Sequence, residues 1–230
     1  MKLFNYKTLL ISLVLIVFLV GCASTRYIQS PSTTAPERGI SGSNSDLDIT
    51  VNCIIHTDGP GSWVRKAPWD EYVVTVSTTP DKSLTLYRVA LIDATGVHWE
   101  SHDHPAQLIT ASDELSKVYA SMGRTGAALA GTAASLVTAI PFIGPAISIG
   151  GAVTSQFGLY ASAKDQANMN EEFARRRMPS PRSLPSNVHV TGSIFFPIIP
   201  NPKAIMFEYR AGQDMNTLEI PLETIRNQPQ

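Results

Sequence analysis

The sequence predicts an α+β fold, an antiparallel β-sandwich interrupted by an α-helical hairpin. Three observations carry that prediction. Alternating apolar runs bounded by Gly and Pro turns occupy residues 46–110 and again 188–222, the pattern of short antiparallel strands. Between them, no charged residue occurs from Thr125 to Ala163, and that stretch is built largely of Gly, Ala, Ser and Thr. Three prolines in Met178–Asn187 then end the helical part. A helical insertion over 111–177 therefore splits one β domain spanning 46–222.

Each element follows from local pattern. Leu47–His56 alternates, and Gly59-Pro60-Gly61 ends it. Glu71–Thr78 is a second run, and Pro80-Asp81-Lys82-Ser83 has turn chemistry. Leu84–Asp93 is expected to pair with the strand before it. Ala94-Thr95-Gly96 turns the chain into Val97–Ser101, completing an expected meander of about four strands. Ser112 followed by Asp113 and Glu114 marks the expected helix start, because the helix dipole favours acids in the first turn. After the insertion, Val188–Pro197, Ala204–Arg210 and Asn216–Leu222 read as three more strands. Short strands with Gly and Pro turns fit an antiparallel sandwich. Gly192, Phe195, Phe196, Pro197 and Ile220-Pro221-Leu222 resemble the ending of immunoglobulin-like domains of small envelope lipoproteins. The resemblance implies an immunoglobulin-like sandwich and says more about fold than function.

The N-terminus reads as an address. Lys2 and Lys7 precede an apolar run, Leu9–Val20. Twelve residues at a 1.5 Å rise reach about 18 Å, short of a ~30 Å bilayer core. Residues 1–21 therefore read as a secretory signal. Leu19-Val20-Gly21-Cys22 resembles the lipobox of bacterial lipoproteins. That resemblance implies cleavage before Cys22 and acyl chains on its sulfur and amine, making a membrane the partner of the N-terminus. Ala23, rather than Asp, implies sorting to the outer membrane, with the domain facing the periplasm. Residues 22–45 are rich in Ser, Thr, Pro and Gly and are expected to be a flexible tether.

Charge and cysteine usage narrow the classes. Lys and Arg number 18 against 19 Asp and Glu, giving a net charge of -1. Loss of Lys2 and Lys7 with the signal moves the mature chain to about -3. Nothing in that balance offers the basic face that a nucleic acid needs. With Cys22 acylated, Cys53 has no partner for an intrachain disulfide. Alternation of Ile49, Val51, Cys53 and Ile55 places Cys53 on an apolar strand face, as a buried structural thiol.

The candidate functional element is the small-residue stretch. Gly123, Ala127, Gly131 and Ser135 recur at four-residue spacing on a first arm. Gly144, Ser148 and Ala152, and then Gly150, Thr154 and Gly158, form two rows on a second. Residues four apart share a helix face, and a small stripe lets another backbone approach closely. Pro141 and Pro145 flank a hinge, because proline disfavours helix in the residue before it. The whole resembles the glycine-zipper hairpins of some envelope proteins. Thr125–Ile140 has only Leu129, Leu136, Val137 and Ile140 as strongly apolar side chains and reaches about 24 Å, so each arm is a weak span. Close packing within the protein or a homo-oligomer leads. A hairpin dipped into a membrane comes second, and a lid over its own sandwich third.

A second cluster is His98, Glu100, His102 and His104, which an extended strand would place on one face. Imidazoles with a carboxylate suit zinc or copper. Residues six apart, however, lie about 20 Å apart on such a strand, so exposed polarity outweighs a metal site. Glu171-Glu172 beside Arg175-Arg176-Arg177 reads as a solvated helix end, with lipid headgroups as the second reading of the arginines. No nucleophile elbow, zinc-protease motif or phosphate loop occurs in the sequence. The resulting expectation is a non-enzymatic envelope lipoprotein without a cofactor, its hairpin mediating self-association or docking to an envelope assembly. A membrane-active protein and a periplasmic metal-binding protein are the alternatives.

Overall fold

The computed structural model describes residues 26–29, 31, 34–35, 37–125 and 163–222. Before the insertion come β1 (Ile40–Ser43), β2 (Leu47–Ile55), β3 (Trp69–Thr78), β4 (Leu84–Ile92) and β5 (His98–Glu100). Helices α1 (Pro105–Thr125) and α2 (Ala163–Arg176) flank residues 126–162. The chain continues with β6 (Arg182–Leu184), β7 (His189–Pro197), β8 (Ala204–Ala211) and β9 (Asp214–Pro221). One sheet has the order β1-β2-β3-β7, the other β5-β4-β8-β9, with β6 also pairing β4. The strand pairings in both are antiparallel.

Period-two alternation explains how the two sheets share one core. Leu47, Ile49 and Val51 of β2, Val74 and Val76 of β3, and Ile194 and Phe196 of β7 are buried together with Leu86, Leu91, Ile205, Phe207 and Ile220 of the second sheet. Tyr72 and Phe196 meet edge to face at 5.4 Å, a favoured geometry for aromatic quadrupoles.

The expected meander is not what forms. β4 pairs with β8 on one edge and with β5 and β6 on the other, rather than with β3. β3 is already flanked by β2 and β7. The turn after β3 therefore carries the chain across to the second sheet. Buried Asp46 fastens this crossing: its carboxylate accepts from Lys82 Nζ, Ser45 and Tyr209, and its carbonyl accepts from the Thr79 N–H at 3.1 Å. Lys82, through its hydrogen bond, is the largest cause holding the Asp46 carboxyl below its ordinary range.

Three further expectations change. Ile40–Ser43, inside the expected tether, forms β1 against β2. Gly42 is there for close approach, since a Cβ on it would lie 2.7 Å from Ile220 Cγ1. In β2 the register shifts between Val51 and Cys53. That bulge hands the core position to Ile54 and leaves Cys53 half-buried. Burial still pushes its thiol up. Finally, α1 starts at Pro105, not near Ser112, so Asp113 and Glu114 lie well inside it and its first turn holds no acid. Proline suits a first helical position because its missing N–H would be unpaired there anyway.

Candidate functional site

The structure describes the base from which the small-residue stretch departs. α1 enters from a cap: His104 Nδ1 accepts the Ala106 N–H at 3.1 Å, and the His104 carbonyl accepts from Gln107 at 3.0 Å. Leu108, Ala111 and Leu115 form its buried stripe, at the three- and four-residue spacing of a helix face. Ser112 Oγ donates to the Pro68 carbonyl at 2.6 Å. Tyr119 Oη donates to Asp93 Oδ2 at 3.0 Å. Asp93 is fully buried and also accepts from the Trp99 indole at 3.0 Å and from the N–H groups of Thr95 and Val97. Those donors outweigh the burial cost and keep its carboxyl below the ordinary range. Asp93 itself favours neutral Tyr119: burial and that carboxylate push the phenol well above its usual range.

α2 is held by aromatic packing and an ion pair. Phe173 stacks on Phe195 of β7 at 4.0 Å and meets Trp69 of β3 edge-on at 6.2 Å. Trp63, Val64, Ala67, Met169 and Leu108 of α1 complete the buried part of this second apolar cluster. It lies on the face of the first sheet turned away from the main core, so β3 and β7 are covered on both sides here. Glu71 shares that face and is 2 % exposed. Its carboxylate accepts from the Trp63 indole at 2.6 Å, Ser193 Oγ at 2.5 Å and Arg176 Nη1 at 3.3 Å. A buried carboxylate has to be paired and hydrogen-bonded, as this one is. The Arg176 guanidinium also sits 5.4 Å over the Trp63 ring.

The helix end is therefore not simply solvated charge. Arg176 and Arg175 both bond Glu172. The hydrogen bond from Arg175 is the largest cause lowering the Glu172 carboxyl to about 2. Arg177 Nη1 donates to the Asp103 carbonyl at 2.7 Å, and the Met178 N–H to the Ser193 carbonyl at 2.7 Å. Arg175 is the exposed member, so the expectation of surface charge holds there and is corrected for Arg176 and Arg177. Sequence reasoning missed this joint. Its one visible signal was the acidic pair Asp70-Glu71 heading a strand whose next residues are apolar.

The histidine cluster does not assemble on one face. Glu100 pairs with Arg88 at 2.9 Å. His102 is half-buried, with its pKa lowered by that burial. His104 is the helix cap. The chain leaves β5 after Glu100 and turns into α1, which ends the alternation the expectation relied on. Among the described residues, no three His, Cys, Asp or Glu side chains come together as metal ligands would.

Gly123 lies in α1. Cys22, Ala127, Gly131, Ser135, Pro141, Gly144, Pro145, Ser148, Gly150, Ala152, Thr154 and Gly158 lie outside the described residues. Among those described, no helix is long and apolar enough to cross a membrane. No protein-family model, curated protein or solved structure matches the chain.

Proposed function

We propose that the protein is a non-enzymatic lipoprotein of the outer membrane, anchored at Cys22 and facing the periplasm. Its small-residue segment, within 126–162, packs against a second copy of the chain or against an envelope protein. The carrying observation is the anchorage of the two helices that bracket this segment. Phe173, Arg176 and Glu71 fix one, and Leu108, Leu115 and Tyr119 fix the other. Rigid stems lower the entropy lost when the segment meets a partner.

Buried carboxylates support a structural reading of the domain. Glu71, Asp93 and Asp46 each accept several internal hydrogen bonds and join elements of the fold. An immunoglobulin-like sandwich is supported by strand order. β2-β3-β7 and β4-β8-β9 reproduce the A-B-E and C-F-G neighbours of that topology, with the helices in the connection leading to the E position.

Fractionation of the mature chain with Cys22→Ser tests the reading. A soluble chain that sediments as an oligomer supports it. A chain that stays in membranes through an alkaline wash favours the membrane-active alternative, in which the hairpin inserts.

A further inference from the structure

The lipid and the C-terminal end of the small-residue segment attach to the same corner of the domain, and we propose that this corner docks on the bilayer headgroups. The inference rests on acylation at Cys22. Three residues lie between Cys22 and Arg26, so four Cα steps reach at most about 14 Å. At Arg26 the chain is already fixed. The Arg65 N–H donates to the Arg26 carbonyl at 2.9 Å, and the Ile28 N–H to the Trp63 carbonyl at 2.8 Å. Tyr27 bridges Val64 and meets the Trp63 ring edge-on at 6.5 Å. The Arg26 N–H also donates to Asp165 Oδ2 at 3.2 Å, in the first turn of α2. The small-residue segment rejoins the described fold at Ala163, two residues before that contact.

A free tether over 22–45 would let the domain wander by tens of ångströms. Docking of Arg26–Ile28 shortens this leash to a few residues and fixes which face meets the lipid. Charge at the corner is complementary to anionic headgroups. Arg65, Lys66 and Lys164 are exposed, and Arg26 is beside them in the chain contacts just described. Two carboxylates oppose these four cations: Asp58, which accepts the Lys66 N–H at 2.8 Å and faces Arg26, and buried Asp165. The corner is thus cationic on a mature chain that is net acidic. The far end of the domain is the turn after β3, where Asp81 is exposed. Ten-residue β3 separates the two ends by about 30 Å.

The test uses the full lipidated protein in a Cys53→Ala background, in vesicles of phosphatidylcholine and phosphatidylglycerol carrying nickel-chelating headgroups. Nitroxides are placed at Ala167→Cys or Asp81→Cys, with Pro60→Cys as a second reporter at the corner, so that its cations stay in place. Strong nickel relaxation at positions 167 and 60 and little at 81 is the expected result. Equal relaxation at all three, or the reverse order, overturns the docked corner while leaving the lipoprotein reading intact. A chain without acyl mass on Cys22, or one that fails to float with vesicles, overturns both. Replacing phosphatidylglycerol by phosphatidylcholine is expected to weaken corner contact about five-fold for each engaged cation. An unchanged relaxation would contradict the electrostatic part.

Discussion

Replacing Arg176 by Met tests the joint that roots α2. The substitution keeps an apolar stem and removes the cation from Glu71, which is 2 % exposed. Taking one partner from a buried ion pair costs about 3–5 kcal/mol. Two features reduce that here: the Arg176 side chain is 23 % exposed, and its contact with Glu71 is 3.3 Å. The Trp63 and Ser193 donors also remain on the carboxylate. The expected cost is therefore about 2 kcal/mol, below the range for breaking a fully buried pair. Glu71→Gln keeps the shape but sets an amide NH2 against the Trp63 or Arg176 donor, and is expected to cost about 1–3 kcal/mol. The two changes share one interaction, so the double variant should cost less than their sum by about 1 kcal/mol. Urea unfolding of the mature Cys22→Ser chain, followed by circular dichroism, reads all three from midpoints at constant slope. Additivity within about 0.3 kcal/mol would show that Glu71 and Arg176 act independently and refute the joint.

Other consequences follow from the same contacts. Phe173→Ala removes the stack on Phe195 and the edge contact with Trp69, and is expected to cost about 3–5 kcal/mol in the same assay. The folded-state Glu172 carboxyl is lowered to about 2 from its ordinary 4.5. A depressed carboxyl stabilises the fold above its unfolded value and loses that contribution as pH falls towards 2. Glu172→Gln should therefore flatten the loss of stability between about pH 5 and pH 2, measured as urea midpoints against pH. Asp46 and Asp93, lowered in the same direction, leave part of the slope in place. Because burial raises the Cys53 thiol, a disulfide reagent should modify it far more slowly in the folded chain than in urea; equal rates would contradict the burial.

What the sequence reveals depends on how local the determining interaction is. Alternation in Leu47–Ile55 and Ala204–Ala211 is local, and both strands form as read. Strand partners are not local: the apolar pattern of Leu84–Ile92 suits either sheet, and the partner is set by β7 having taken the edge of β3. A single-residue bulge at Cys53 moves its neighbours between faces without changing composition. Gly42 reads as linker until Ile220, far along the chain, is seen to fill the missing Cβ. His104 and Arg176 carry the same lesson. Sequence marks each as a polar group without a role; His104 stays exposed and caps α1, whereas Arg176 is partly buried as a clasp on Glu71.

The central claim is that the small-residue rows are a packing surface. Sedimentation of the mature Cys22→Ser chain beside its Gly131→Leu/Gly150→Leu variant tests it most directly. The account predicts an oligomer that dissociates to monomer in the variant, with the β-sheet circular dichroism unchanged. An oligomer of equal size and stability in both chains would contradict it.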